Sequence, residues 1–219
     1  MPREIKVVLF DLGGVLVELT GVPVMLDWAQ ETMTPEQLGV KWLSSPTVRA
    51  FETGRMSSDE FAEKLVVEMA FSVSTDEFIA AFTYWPKGLY PGVIELLQRI
   101  PPKYMLATLS NTNALHWSRA MSEMKLLDYF QYHFPSHLLG VLKPDPEVFE
   151  HVIDHLSCEP ASVLFIDDNL LNVNAARAIG ICAQEAKGVT GAEQVLIEYG
   201  VISELVKGPL CQRKVSYSL

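Results

Sequence analysis

The chain is short of cysteine, of basic residues and of any long hydrophobic run. Its three cysteines, Cys158, Cys182 and Cys211, are an odd number at no metal-binding spacing. They argue for reduced, mostly buried thiols in a cytoplasmic protein and against a disulfide frame or a zinc site. Lysine and arginine total 17 against 27 aspartates and glutamates, a formal net charge of -10. A surface of that sign repels nucleic acid and anionic lipid, so neither is expected as a partner. A phosphate-bearing ligand would need local help from a cation or from aimed dipoles. No apolar stretch approaches a membrane span, and the apolar run behind Arg3 and Lys6 is too short for a signal peptide. Internal repeats and low-complexity segments are also missing.

What is present is a globular composition. With 49% hydrophobic and 20% charged residues, the chain is too apolar to stay disordered. Its 219 residues suit one sizeable core, or a core with a smaller appendage. Four short apolar runs read as strands covered on both faces: IKVVLF (5–10), YMLATL (104–109), SVLFI (162–166) and ICAQE (181–185), with YFQYHF (129–134) as a weaker one. Helical patterns lie between them. Pro91 is read at N1 of PGVIELLQRI and Pro146 at N1 of DPEVFEHVIDHL, behind an Asp145 cap, while NLLNVNAARAIG stops at Gly180.

Strand–helix alternation in this order predicts an α/β fold, a doubly wound, mostly parallel sheet. One region interrupts it. Between about Val17 and Gly88 no convincing strand is visible, only amphipathic helices and two capping-box patterns, Ser57 with Glu60 and Ser74 with Glu77. The expected organisation is therefore a core from 1–16 and 89–206, a small helical cap from 17–88, and a tail from 207–219 expected to lack order. A helical insertion after the first strand overhangs the carboxyl ends of the strands, where ligands bind in open α/β sheets.

The strand ends carry the chemistry. Asp11, with Gly13 and Gly14, follows the first strand; Ser110 and Asn111 follow the second; Lys143 follows the weak strand region; Asp167 and Asp168 follow SVLFI. A carboxylate, a hydroxyl, a lysine and an acidic pair at one edge are the parts of phosphoryl transfer: a nucleophile, donors to phosphoryl oxygens, and carboxylates for a divalent cation. Each has a plainer reading alone. Asp11 suits a turn cap, Asp167 and Asp168 suit a helix N-terminus, Lys143 before Pro144 suits the surface, and Ser110 suits a turn. The company of Lys143 and Asp168 tips Asp11 towards function, and Asn111 and the strand before it do so for Ser110. A metal would use the same geometry at the acidic pair, and the role of Lys143 leans on a family resemblance. His151 and His155 stand at i, i+4, but Val148, Phe149, Val152, Ile153 and Leu156 form that helix's apolar stripe, which places both histidines on the wet face. Trp28, Trp42, Phe51, Phe61, Phe71 and Phe82 read as the core of the cap, with one or two at the cleft.

These four segments, in this order, resemble the motifs of the haloacid-dehalogenase-like (HAD) phosphohydrolases. Within that superfamily the chain looks closest to the branch of α-glucose-1-phosphate phosphatases and the phosphatase domain of soluble epoxide hydrolase. The resemblance implies that Asp11 is the nucleophile, forming an aspartyl-phosphate. It implies that Ser110, Asn111 and backbone N–H groups around Leu12 and Gly13 bind phosphoryl oxygens, and that Lys143 neutralises charge between Asp11 and the phosphate. It also implies Mg²⁺ held by the Asp11 carboxylate, the Gly13 carbonyl and the Asp168 carboxylate, with Asp167 reaching it through water.

Most of the family carries a second aspartate where Gly13 stands, a group that protonates the leaving oxygen and then activates water. Its loss removes general acid–base help typically worth about 10²–10⁴-fold. Two compensations are open: a leaving group that needs little protonation, such as the anomeric oxygen of a sugar 1-phosphate, or a proton from water or a cap residue, with Glu18 the nearest acid. The glucose-1-phosphate branch also carries Asp-Leu-Gly here. The expected activity is thus a Mg²⁺-dependent phosphatase of a small phosphorylated metabolite, with a sugar phosphate such as a sugar 1-phosphate as the candidate substrate. Metal-free 2-haloacid dehalogenation and a catalytically dead phosphate-binding module are the competing readings.

Overall fold

The structure, a computed structural model, describes residues 4–204. The expected tail and Cys211 lie outside the described residues. In chain order the elements are β1 (Val7–Phe10), β2 (Val17–Leu19), α1 (Gly21–Trp28), α2 (Pro35–Leu43), α3 (Pro46–Glu52), α4 (Ser58–Glu68), α5 (Thr75–Thr83) and β3 (Pro86–Leu89). There follow α6 (Val93–Arg99), β4 (Met105–Ser110), α7 (Ala114–Ser122), β5 (Tyr132–Pro135), α8 (Ser136–Leu139), α9 (Pro146–Leu156), β6 (Val163–Asp167), α10 (Leu170–Ala178), β7 (Cys182–Glu185) and α11 (Gly188–Glu198). Among the described residues no helix is long and apolar enough to cross a membrane.

Five strands form one sheet in the order β5-β4-β1-β6-β7, and every neighbouring pair is parallel. This is the expected α/β architecture. The central strand is buried throughout because both faces are covered, which is why its residues read as one apolar run. Alternation persists within the run: Val8 and Phe10 pack with α6, α7 and α11 on one face, while Val7 and Leu9 pack with α9 and α10 on the other. After β1 the sheet grows first towards β4 and β5, then on the other side towards β6 and β7. The reversal places a topological switch at the carboxyl end of β1.

Between β1 and β4 the chain builds α1–α5, which enclose their own aromatic cluster, including Phe51, Phe61, Phe78 and Phe82. Phe51 and Phe61 stack with centroids 4.0 Å apart. Both expected N-caps form, with Ser57 accepting from the Glu60 N–H and Ser74 from the Glu77 N–H. Only the second box is reciprocal; Glu60 turns instead to Lys64 at i+4. A further box, Thr34 with Gln37, starts α2.

Three local readings are corrected. The stretch read as strand-free contains β2 and β3, an antiparallel pair that joins the start of the helical segment to its end. Each strand is too short for visible alternation, and β3 begins with Pro86 and includes Gly88, which weigh against a strand. Helix α6 begins at Val93, not Pro91, because Gly92 takes a left-handed N-cap conformation (φ 90°). Asp145 occupies the N-cap of α9, yet its carboxylate makes no cap bond; it pairs with Arg49 of α3, tying the helical segment to the sheet layer. His151 and His155 are exposed, as their place opposite the apolar stripe requires.

Phe61 is fully buried and contacts the rings of Phe51, Phe78, Phe82 and Trp42. Phe61→Ala is expected to cost about 3–5 kcal/mol, read from the midpoint of urea unfolding.

Candidate active site

The switch point gathers side chains from four places in the chain. Asp11 directly follows β1, Ser110 ends β4, Asp167 ends β6, and Lys143 lies between α8 and α9. Lys143 is the organising group. It is 2% exposed, against the surface position usual for a lysine before proline. Its ammonium donates to the Leu109 carbonyl at 2.9 Å and to Asp167 Oδ2 at 2.6 Å, and lies 3.0 Å from Asp11 Oδ1. Three N–H donors thus meet three acceptors, the arrangement that makes a buried charge tolerable.

The lysine is itself held in place. Asn111 grips its backbone from both ends of the amide, Nδ2 donating to the Lys143 carbonyl at 2.8 Å and Oδ1 accepting from the Lys143 N–H at 2.9 Å. One amide hydrogen of Asn111 is left over for another partner. Asp167 is fully buried. Besides Lys143 it accepts from the Asn169 N–H at 2.8 Å and from Asn172 Nδ2 at 3.0 and 3.1 Å. Asn169 and Asn172, at the start of α10, were not singled out from the sequence; one polar side chain in a helix's first turn carries no distinguishing pattern.

Asp11, Asp167 and Asp168 offer carboxylate oxygens that all lie within 4.8 Å of one another. Three carboxyl groups share one buried ammonium, with Lys187 also acting on Asp168, so the cluster carries more acid than base. Burial pushes the Asp11 carboxyl up to about 7; Lys143 opposes the shift, and Asp167 and Asp168 reinforce it. Asp168 is raised as well, by burial and then by Asp167. Lys143 is held above its ordinary value: burial pulls it down, but Asp11 and Asp167 outweigh that pull. Such a set fits a divalent cation, which would relieve the repulsion among hard oxygen ligands. The adjoining turn is tight. Gly14 has φ +71°, and a Cβ there would lie 2.2 Å from Asp168 Oδ2. The Leu12 N–H donates to Asp11 Oδ1 at 2.7 Å. Gly13, by contrast, needs no glycine conformation; the nearest obstacle to a Cβ is Leu19 Cδ1, 2.9 Å away.

A cavity of about 380 Å³ opens over this rim, lined at its floor by Asp11, Leu12, Gly13, Ser110, Asn111, Lys143 and Asp168. It brings together every sequence-predicted site residue except Asp167, which lies beneath. The helical segment supplies the roof, including Trp42, Phe82 and Trp85. It also supplies Glu52, the last residue of α3, whose carboxyl is raised to about 7 by burial against the opposing pull of Lys143. Glu18, the acid favoured from sequence proximity, is not among the lining residues and pairs with Lys87 across β2–β3. Glu52 could not be recognised in the sequence because only the fold of the insertion carries it to Lys143.

A haloacid dehalogenase-like hydrolase pattern matches residues 5–180. The chain belongs to that family. It is 30% identical over 190 residues to mouse acyl-CoA dehydrogenase family member 10, covering 82% of this chain but only 18% of that longer protein. It is 30% identical over 187 residues to the sesquiterpene phosphatase AstK of Aspergillus oryzae, covering 83% of this chain and 89% of the relative. Among solved structures, a HAD-family enzyme of Bacteroides thetaiotaomicron in complex with magnesium and inorganic phosphate superposes with a TM-score of 0.68 at 27% identity, covering 84% of this chain and 94% of the other. Family and relatives support a phosphoric monoester hydrolase.

Replacing Lys143 by Met would leave Asp11 and Asp167 facing each other without a counter-charge. The expected loss is about 3–5 kcal/mol of folding stability, measured by denaturant unfolding at neutral pH without divalent cation.

Proposed function

We propose that the chain is a Mg²⁺-dependent phosphatase of a small phosphorylated metabolite, acting through an aspartyl-phosphate on Asp11. The observation that carries this is the excess of acid beside a buried nucleophile: three carboxyl groups, one fully bonded lysine, and a cavity directly above. Mg²⁺ would be held by the Asp11 and Asp168 carboxylates and the Gly13 carbonyl, with Asp167 acting through water. Bound there, it supplies charge neutralisation for phosphoryl oxygens.

The remaining work falls to this chain's own residues. The Asp11 carboxylate attacks phosphorus, and the bond from phosphorus to the ester oxygen breaks. Ser110, the spare amide hydrogen of Asn111 and the Gly13 N–H receive the phosphoryl oxygens; the Leu12 N–H, expected from the sequence to join them, is already given to Asp11 Oδ1. Lys143 keeps Asp11 oriented and balances the charge that builds up. The Glu52 carboxyl, protonated in part at neutral pH, gives its proton to the departing alcohol. It then takes one from the water that hydrolyses the aspartyl-phosphate, releasing inorganic phosphate and restoring Asp11. Glu52 thereby fills the vacancy left by Gly13, and a leaving group that needs no proton is no longer required. Metal-free dehalogenation would leave Asp168 without a task, and a dead binding module would have no use for a buried acid lining the same cavity as Asp11.

Asp11→Asn should reduce phosphate release to background in a folded protein. Retained turnover would exclude the covalent route. Glu52→Gln should lower kcat/KM, which covers the steps through departure of the leaving group, by about 10²–10⁴-fold on alkyl phosphates, and far less on acetyl phosphate, whose carboxylate leaving group needs no proton. Equal losses on both would remove Glu52 from acid catalysis.

The raised Asp11 carboxyl also sets a pH dependence. In the metal-free protein the folded state keeps a proton that the unfolded chain, with an ordinary value of 3.8, has already lost. Stability should therefore fall as pH rises from about 4 to about 7. Mg²⁺ binding requires the ionised carboxylate, so the gain in Tm on adding Mg²⁺ should be larger at pH 8 than at pH 5. Thermal melts with Mg²⁺ and with EDTA at both pH values test this.

A further inference from the structure

We propose that the alcohol released here is apolar: the substrate is the phosphate monoester of a hydrocarbon alcohol, of isoprenoid or long alkyl type, rather than of a sugar or polyol. This rests on the phosphatase reading above and concerns the part of the ester that phosphate chemistry leaves unspecified.

The cavity is divided by origin. Its floor, from strand ends and the start of α10, is polar. Its roof, from α1, α2, α5 and the residue before β3, presents Val22, Met25, Leu38, Trp42, Phe82 and Trp85. Besides Glu52 and the Trp42 indole, the described residues of that roof region include two polar side-chain groups, His116 and Trp85, and neither offers a hydrogen-bonding atom open to the cavity. His116 is buried and held neutral, its imidazole pulled down to about 4 by burial. Its ring is already spent, Nε2 on the Phe82 carbonyl at 2.7 Å and Nδ1 on Asn113 at 3.2 Å. The Trp85 indole N–H is closed to solvent and has no partner. Against the apolar roof a polyol would give up water at each hydroxyl and find few partners in exchange, whereas each methylene would gain by leaving water.

Two further observations point the same way. The space that a side chain at position 13 would enter is taken by Leu19, so an apolar group stands where most of the family has a carboxylate. And the lining residues Leu19, Val22 and Leu43 are 55%, 41% and 58% exposed. Apolar side chains left open to water around a cavity are the mark of a binding surface, here one along which a chain longer than the chamber continues outward. Among the described residues Glu52 is the single acid of the roof, and lining the same cavity as Asp11 and Lys143 it suits the ester oxygen rather than a remote hydroxyl. An alkyl alcohol, a poor leaving group, is the kind that needs such a proton.

The test is a specificity series with Mg²⁺: butyl, hexyl and octyl phosphate, geranyl phosphate, glucose 1-phosphate, and acetyl phosphate as the ester whose departure is independent of the chamber. The expected result is a kcat/KM that climbs about three- to fivefold per added methylene, with geranyl phosphate about 10²-fold above glucose 1-phosphate. A flat series, or glucose 1-phosphate equal to or above geranyl phosphate, overturns the proposal while leaving the phosphatase standing. Hydrolysis of none of them, acetyl phosphate included, overturns both. Gly39 of α2 lines the cavity and has nothing within 4 Å of where its Cβ would be. Gly39→Leu should therefore lower the ratio of geranyl to acetyl phosphate kcat/KM at least tenfold. An unchanged ratio in a variant with native circular dichroism would overturn the assignment of this wall.

Discussion

The structure turns on one ammonium group. Lys143 is sealed from water, and a cation there survives only because a strand carbonyl and two carboxylates take its three hydrogens. Satisfying it forces β1, β4 and β6 to present their carboxyl ends at the same height, since Asp11, Leu109 and Asp167 must all reach one nitrogen. Asn111 then fixes the lysine's own backbone. A replacement anywhere in this set leaves a charge buried without an answer, which is far more costly than losing a surface pair.

The same arrangement is unfinished electrically. One buried ammonium is outnumbered by three carboxyl groups, and the upward displacement of Asp11 and Asp168 expresses the imbalance. Folding energy is thus held in a place that a divalent cation and a phosphoryl group can use. On the proposed mechanism this is preorganisation: burial raises the Asp11 carboxyl and Lys143 orients it before an ester arrives.

Much of this was legible in the sequence, for physical reasons that differ by element. Strands covered on both faces must be continuously apolar, so β1, β4 and β6 stood out, and the polar residue ending each run marked the rim. The lysine and the acidic pair drew weight from occurring in order after strands. Two kinds of feature stayed hidden. Short strands such as β2 and β3 have no room for periodicity, and their pairing is decided by where the helical segment must leave and rejoin the sheet. Glu52 and the roof of the cavity depend on packing between distant segments; nothing near Glu52 in the sequence distinguishes it from any other acid at a helix end. Proximity to Gly13 pointed instead to Glu18, which a cross-strand lysine has already claimed.

The β2–β3 ribbon makes a modular division of labour practicable. Both backbone crossings to the roof pass through this one narrow neck, so the whole stretch from Val17 to Leu89 can be exchanged as a cassette without cutting any strand of the five-stranded sheet. On the proposed reading, a swap at that neck would retune which alcohols are accepted while Asp11, Ser110, Lys143 and the acidic pair stay as they were. Only the proton donor assigned to Glu52 would leave with the roof.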